Sequence, residues 1–201
     1  LYEATESFLK MPYLEGGIKC DEKLEPVDVS PKGFDCVTFV EYSLAKYSGK
    51  SVSGLRYHGK QSCTNRNHFF IADWLKNNNI AKDITSELGK ARQKIAIIDR
   101  QAWFLSSHGI KFPANKEELR IDYIPMEELA KINSGDLPRA SLMMVVNSDK
   151  SIDISHVGFL LNVKGEPVFR HASSYRGMVV DESLHEYINR IKKRKDILGL
   201  A

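Results

Sequence analysis

Two short apolar segments joined by a two-residue turn limit the possible folds of this chain most strongly. Ser155–Val163 and Pro167–Ala172 carry the branched and aromatic residues that favour strands. Lys164-Gly165 lies between them, at the place of a hairpin turn. If these two residues form that turn, Val163 faces Glu166 and the register of the whole pair follows. The sequence therefore predicts an antiparallel sheet in the second half of the chain.

Other segments of strand character accompany this hairpin, whereas the first half of the chain favours helices. Strands are also predicted at Lys94–Ile98, Ser141–Asn147 and Met178–Asp181. The predicted helices are Tyr2–Lys10, Cys36–Tyr47, Asn67–Asn77, Arg100–Ser107, Met126–Ile132 and Glu182–Arg190. Helices first and strands later, without regular alternation, predict an α+β fold with a helical N-terminal half.

The helix predicted at Cys36–Tyr47 has a clear apolar periodicity. One buried stripe is indicated by the spacing of Val37, Val40, Leu44 and Tyr47. Gly49 stands where a C-terminal cap belongs. We therefore expect this helix to begin at Cys36 and to pack along that stripe.

Size and charge exclude several classes of protein. A chain of 201 residues with 42% hydrophobic content predicts a single domain over residues 1–201. The net charge of +3 is spread along the chain, and the basic run Arg190–Lys195 is interpreted as a solvated helix end rather than a nucleic-acid or anionic-surface site. No segment has the roughly 20 apolar residues of an integral membrane span. The chain begins at Leu1, so the lack of a targeting segment does not fix the compartment.

Because the chain has three cysteines, at least one thiol stays free whichever two of them form a disulfide. Cys20, Cys36 and Cys63 form no CxxC pair and no spacing typical of a zinc site, so we predict no structural metal. Two arrangements remain open from the residues alone. In an exported protein Cys20 and Cys63 could form a disulfide that leaves Cys36 free, and otherwise all three are free thiols.

Cys36 lies where a helix N-terminus could activate it. Asp35 stands at the N-cap position and Cys36 in the first turn. The unpaired backbone N–H groups of a helix N-terminus favour a thiolate, and the same groups can hydrogen-bond the oxyanion of an acyl-transfer intermediate. A buried structural cysteine is the alternative that this segment leaves open.

Each strand of the predicted hairpin carries one histidine. In the expected register His171 lies opposite Gly158, and His156 is two residues from Gly158 on the same face. The two histidines are then diagonal neighbours at about 7 Å or less, as a general base and its orienting partner require. A metal site made of Cys36 and both histidines is the alternative, although no fourth ligand with suitable spacing follows.

The order of these motifs resembles that of the NlpC-type papain-like cell-wall hydrolases. Within that superfamily the chain is similar to the N-acetylmuramoyl-L-alanine amidase-like group. The motifs that carry the resemblance are Asp35–Glu41, Arg66–Phe69 with Asp73-Trp74, Ser134–Asp136, Asp153–Gly158 and His171–Ser174.

The resemblance implies a papain-like fold in which the nucleophile helix packs on the sheet that carries both histidines. It implies a catalytic triad of Cys36, His156 and His171 that needs no cofactor. The expected substrate is a peptidoglycan fragment, a 1,6-anhydro muropeptide cut between N-acetylmuramic acid and L-alanine. We also expect a monomer that is periplasmic or otherwise exported.

Substrate-binding residues are predicted around the triad. Arg66 can hold a stem-peptide carboxylate in a bidentate pair, with His68 beside it, although a surface ion pair and a structural histidine explain them equally well. Residues near the triad in sequence are expected to line the cleft, with residues 1–34 elaborating it. These residues are Tyr13, Asp35, Ser155 and Ser173.

Two other functions remain open from the sequence. A γ-D-glutamyl-diamino-acid endopeptidase of the same superfamily would use the same triad. A non-catalytic muropeptide-binding module would keep these residues without turning substrate over. The residues also do not distinguish cell-wall recycling from a toxin directed at another organism.

Overall fold

The computed structural model describes residues 1–15 and 31–201, which form seven strands and short helices. The strands are β1 (Arg92–Asp99), β2 (Lys116–Pro125), β3 (Ala140–Asn147), β4 (His156–Val163), β5 (Glu166–Ser173), β6 (Met178–Ser183) and β7 (Ile197–Leu200). The α-helices are α1 (Tyr2–Glu6), α2 (Cys36–Ser48), α3 (Val52–Arg56), α4 (Lys76–Asn78), α5 (Thr85–Leu88), α6 (Arg100–His108), α7 (Met126–Leu129) and α8 (Leu184–Ile191). A π-helix spans Phe70–Leu75, and 3-10 helices span Cys63–Asn65 and Ser134–Asp136.

The strands form one antiparallel sheet in the order β1-β2-β7-β3-β4-β5-β6, which confirms the α+β class. The C-terminal strand β7 is inserted between β2 and β3. This insertion requires Gly199, because a side chain there would collide with the backbone oxygen of Ile124. Strands β2 and β7 have no counterpart among the predicted elements.

Helices cover both faces of the sheet. Phe39 and Val40 of α2 belong to the apolar cluster that contains Phe159 of β4. On the opposite face, Tyr187 of α8 shares a cluster with Leu160 of β4. Successive residues of β4 thus contribute to different cores, as the alternation of side chains along a strand requires.

The predicted helix at Cys36–Tyr47 is confirmed with almost the same limits, and Val40 is buried with Val37 and Leu44 packed against the core, but the predicted stripe is wrong at Tyr47. Gly49 caps the helix in the left-handed conformation at φ 73°, as expected. Tyr47, however, is 61% exposed, and the buried residues of α2 include Glu41 and Ser43. A periodicity of apolar residues alone could not find this face, because Glu41 is buried by its pairing with Arg56 of α3.

Three other predicted helices are shorter than expected. The first ends at Glu6, and the helix expected at Met126–Ile132 ends at Leu129. The helix expected at Asn67–Asn77 begins only at Phe70 and starts as a π-helix. The carboxylate of Asp73 accepts hydrogen bonds from the backbone N–H groups of His68 and Phe69, which holds this stretch outside the helix.

Residues 1–15 and 31–201 include no helix that is both long enough and apolar enough to span a bilayer.

We predict that Glu41→Gln lowers the free energy of unfolding by about 3 kcal/mol, because it removes one charge from the buried, hydrogen-bonded ion pair between Glu41 and Arg56. Urea denaturation would measure the loss. Glu87→Gln, which removes the carboxylate of the exposed Lys82–Glu87 pair, is the matched control and should not shift the midpoint. Equal midpoints for both variants would contradict the prediction.

Candidate active site

Cys36 is the first residue of α2, and Asp35 caps the helix as predicted. Oδ1 of Asp35 accepts a hydrogen bond from the backbone N–H of Thr38 at 2.7 Å, and the backbone N–H of Asp35 donates to Oγ1 of Thr38 at 2.9 Å. This reciprocal capping box fixes the start of the helix. The position of the thiol is therefore set by a rigid element rather than by a loop.

Burial decides the protonation state of Cys36. It raises the pKa of the thiol to about 12, and the negative charge of Asp35 acts in the same direction. Backbone N–H groups of Val157, Val37 and Cys36 itself hydrogen-bond the sulfur and oppose this shift. Burial outweighs them, so Cys36 is a protonated thiol at neutral pH and needs a base before it can attack.

The β4–β5 hairpin has the predicted register. The paired residues run from Val163 opposite Glu166 to Phe159 opposite Arg170. Lys164 and Gly165 form the turn with φ of 56° and 93°, as a tight hairpin requires. One step beyond the last pair, a Cβ atom added to Gly158 would lie 2.7 Å from Cβ of His171. The expected closeness of Gly158 and His171 is therefore confirmed.

The two histidines are in direct contact. Nε2 of His156 lies 2.7 Å from Nδ1 of His171, and the rings are nearly perpendicular with centroids 4.9 Å apart. Burial lowers the pKa of each imidazole to about 3, and a second positive charge beside either ring would lower it further. Both rings are thus neutral at pH 7, and one of them donates the hydrogen bond between them.

Cys36 lies near the two histidines, at the end of β4 that extends beyond its last pair with β5. The backbone N–H of Val157, next to His156, hydrogen-bonds the Cys36 sulfur. Burial raises the pKa of Tyr187 on the opposite face of the sheet, and the charges acting on that hydroxyl are those of Arg190, Glu182 and Cys36. The thiol and the histidine pair therefore share one neighbourhood. Within residues 1–15 and 31–201 no hydrogen bond joins the Cys36 sulfur to His156, whose Nδ1 is the ring nitrogen left for a thiol proton.

Glu182 and Arg190 complete the surroundings of His171, and the sequence analysis missed both. Oε2 of Glu182 lies 3.4 Å from Nε2 of His171, and Arg190 forms two hydrogen bonds to the same carboxylate. The position of Glu182 could have been found from the register of the neighbouring strands. Glu182 is two residues beyond Val180, which pairs with His171, so Glu182 lies on the same face. The predicted strand ended at Asp181 and thus left Glu182 in the following helix.

Four of the predicted substrate-binding residues lie beside elements of this cluster. Asp35 precedes Cys36, and Tyr13 is bridged to Phe34 of the same segment. Burial raises the pKa of Tyr13 to about 12, and negative charge on Cys36 adds to the effect. Ser155 is exposed and donates its hydroxyl to the backbone oxygen of Val145 at 3.2 Å. Ser173 is 2% exposed and accepts from a backbone N–H.

Arg66 and His68 are placed elsewhere. They line a cavity of about 180 Å³ whose walls include Asp73 and Arg100 but none of the residues Cys36, His156 and His171. Nε2 of His68 lies 2.8 Å from the backbone oxygen of Cys63, and its ring packs on Trp103 at 4.5 Å. Burial lowers the pKa of His68 to about 4. The structure therefore does not bring these two residues to the cysteine–histidine cluster.

The cysteines fall into two states. Cys36 is a free thiol and Cys63 is disulfide-bonded, which rules out three free thiols. Cys20, the partner of Cys63 in the disulfide that the sequence left open, lies outside the described residues. Over residues 1–15 and 31–201, no three His, Cys, Asp or Glu residues are grouped so as to hold a metal ion.

Comparison with known proteins gives a family and a fold. The family described as AmiA-like, N-acetylmuramoyl-L-alanine amidase-like, matches residues 3–197. No protein of curated function matches significantly.

Solved structures share the fold at low sequence identity. A Legionella pneumophila protein is 24% identical with a TM-score of 0.85, covering 99% of this chain and 85% of its own. A Bacteroides fragilis protein named as a proposed xylanase is 23% identical with a TM-score of 0.75, covering 100% and 98%. A Bacteroides uniformis N-acetylmuramoyl-L-alanine amidase is 20% identical with a TM-score of 0.74, covering 98% and 94%.

We predict that alkylation of Cys36 by iodoacetamide speeds up about tenfold per pH unit between pH 7 and pH 9. The raised pKa keeps the thiol protonated, so the reactive thiolate fraction grows throughout this range. Rates measured by mass spectrometry should show no plateau. Cys36→Ala is the control for labelling at other sites. A rate that is already constant above pH 6 would instead indicate a preformed thiolate.

We predict that Gly158→Ala lowers the free energy of unfolding by about 1–3 kcal/mol, because the added methyl group overlaps the backbone of Arg170 and Cβ of His171. Gly135→Ala is the matched control, since nothing lies closer than 3.7 Å to a Cβ atom at that glycine. Urea denaturation compares the two. A Gly158→Ala protein as stable as the Gly135→Ala protein would contradict this account of the hairpin.

Proposed function

The chain belongs to the N-acetylmuramoyl-L-alanine amidase-like family, and we propose that it is a papain-like cysteine amidase. Its substrate in this proposal is a soluble peptidoglycan fragment, preferably a 1,6-anhydro muropeptide. The bond cut is the amide between the lactyl group of N-acetylmuramic acid and L-alanine. The observation that carries the proposal is a hydrogen-bonded pair of histidines beside Val157, whose backbone N–H interacts with the sulfur of a cysteine at a helix N-terminus.

The two protonation states define how the reaction would begin. A protonated Cys36 and a neutral His156 make a thiol and a base rather than an ion pair. Nδ1 of His156 takes the thiol proton while the sulfur attacks the amide carbonyl carbon. The backbone N–H groups of Cys36 and Val37, which interact with the sulfur before the attack, are the donors that we propose for the resulting oxyanion. His171 keeps the His156 ring oriented through their hydrogen bond.

The remaining steps return the site to its starting state. The imidazolium of His156 gives its proton to the nitrogen of L-alanine as the C–N bond breaks, which releases the stem peptide and leaves a thioester on Cys36. His156 is then neutral again and takes a proton from water, whose oxygen attacks the thioester carbonyl. The C–S bond breaks, the thiolate recovers the proton, and the muramyl carboxylic acid leaves.

The disulfide of Cys63 supports an oxidising compartment. Together with the family, it favours a protein that acts outside the cytoplasm, and we propose a periplasmic or otherwise exported monomer. A muropeptide released from the cell wall would be met in that compartment without crossing a membrane.

Incubation with a defined 1,6-anhydro muropeptide should release free stem peptide, identified by mass spectrometry. Cys36→Ala should lower kcat/KM at least about 10⁴-fold because it removes the attacking atom, while isothermal titration should still detect binding. A metal chelator should leave the rate unchanged. Ser174→Ala, on the exposed loop after β5, serves as a control that should keep full activity.

Other products would contradict this assignment in distinct ways. Release of a sugar-linked L-alanyl-D-glutamate fragment would show cleavage two amide bonds further along the stem, the endopeptidase reaction. Binding with the same affinity in the wild type and in Cys36→Ala, with no product in either, would indicate a muropeptide-binding module.

A further inference from the structure

A buried carboxylate lies next to the histidine pair, beside His171. Glu182 on β6 is 5% exposed, and its Oε2 atom lies 3.4 Å from Nε2 of His171. His171 is itself 2% exposed and stacks on Phe169 at a centroid distance of 4.4 Å. A carboxylate at this depth needs partners, because burial without them is costly.

Arg190 of α8 supplies those partners with a fixed geometry. Its Nε atom donates to Oε1 of Glu182 at 2.9 Å and one terminal nitrogen donates to Oε2 at 2.7 Å. The guanidinium lies between two aromatic rings, those of Tyr175 at 5.2 Å and Tyr187 at 4.9 Å. A bidentate pair of this kind orients both carboxylate oxygens.

The carboxylate, oriented by Arg190, determines where the protons of the histidine pair lie. Carboxylate oxygens can only accept hydrogen bonds, so Nε2 of His171 carries its proton toward Glu182. Nδ1 of the neutral His171 ring is then an acceptor, and the 2.7 Å contact requires Nε2 of His156 to donate. Nδ1 of His156 is left with a lone pair, which is the form that can take a proton from Cys36.

We propose that Glu182, held by Arg190, is a positioning residue that sets the tautomers of both histidines, a role whose catalytic meaning rests on the function proposed above. Glu182 acts through His171 and His156 and touches no reacting atom. The fixed direction of donation prepares His156 as a base before substrate arrives.

The groups around the histidine pair keep both imidazole rings neutral. The groups that face His171 are His156 on β4, Glu182 on β6, and Arg190 and Tyr187 on α8. Burial lowers the pKa of His171, and the nearby cation of Arg190 adds to this effect. His171 therefore does not become an imidazolium beside Glu182, and a proton taken from Cys36 stays on His156.

Glu182→Gln tests the proposal, because its amide should reverse the direction of donation. Arg190 donates to both oxygens of Glu182, so the amide leaves one of these donors without an acceptor, and with the amide oxygen on Nε of Arg190 the NH₂ group takes the place of Oε2 and points at Nε2 of His171. That nitrogen becomes an acceptor, His171 carries its proton on Nδ1, and His156 is forced to carry its own on Nδ1. The variant would lack a base facing Cys36. We expect kcat to fall on the order of 10³-fold with little change in KM.

Nitrogen-15 NMR of histidine-labelled protein at pH 7.5 reads the tautomers directly. The wild type should show His156 and His171 both protonated on Nε2, and Glu182→Gln should show both protonated on Nδ1. Glu186→Gln, which removes an exposed carboxylate from α8, is the matched control and should match the wild type in spectrum and kcat.

The wild-type spectrum decides the proposal even if the variant fails to fold. Protonation of His171 on Nδ1 in the wild type would overturn it. The expected tautomers in a wild type that cleaves no muropeptide would support the role of Glu182 while refuting the proposed function. Muropeptide cleavage with reversed tautomers would refute the role of Glu182 alone.

Discussion

The register of β4 against β5 is the constraint on which the rest of the site depends. His156 and His171 come from different strands, and their hydrogen bond of 2.7 Å exists only because the hairpin sets them diagonally on one face. A shift of one residue would turn one histidine toward the core formed with α2 and the other toward α8. The tight turn at Lys164 and Gly165 prevents such a shift, and Gly158 supplies the space that the second imidazole needs.

The burial of the site determines the pKa values of its titratable groups. Burial raises the pKa of Cys36 to about 12 and lowers the pKa of His156 and of His171 to about 3, which favours a protonated thiol and two neutral imidazoles. Where a carboxylate is buried in the same region, an arginine accompanies it, as Arg56 accompanies Glu41 and Arg190 accompanies Glu182. Arginine serves this purpose because it stays charged and binds carboxylates in a planar, bidentate geometry.

Local patterns in the sequence were sufficient for those parts of the structure that depend on local interactions. The hairpin register followed from Lys164-Gly165, and the helix beginning at Cys36 followed from the cap at Asp35 and the glycine at Gly49. What could not be predicted depends on partners distant in sequence. Strand β7 lies between β2 and β3 through contacts that no local sequence pattern predicts. Arg190 belongs to the site only because α8 folds back over β5. Arg66 and His68 looked suitable by residue type, yet they line a separate cavity.

The protonated state of Cys36 also bears on how the protein would survive where it is proposed to act. Peroxides and small disulfides react with thiolates, and a thiol with its pKa near 12 presents almost none of that form at neutral pH. The same burial that makes Cys36 depend on His156 for its reactivity would therefore protect it from sulfenic acid formation and from mixed disulfides. In an oxidising compartment, a nucleophile that is activated only when substrate is bound would keep its sulfur reduced between turnovers.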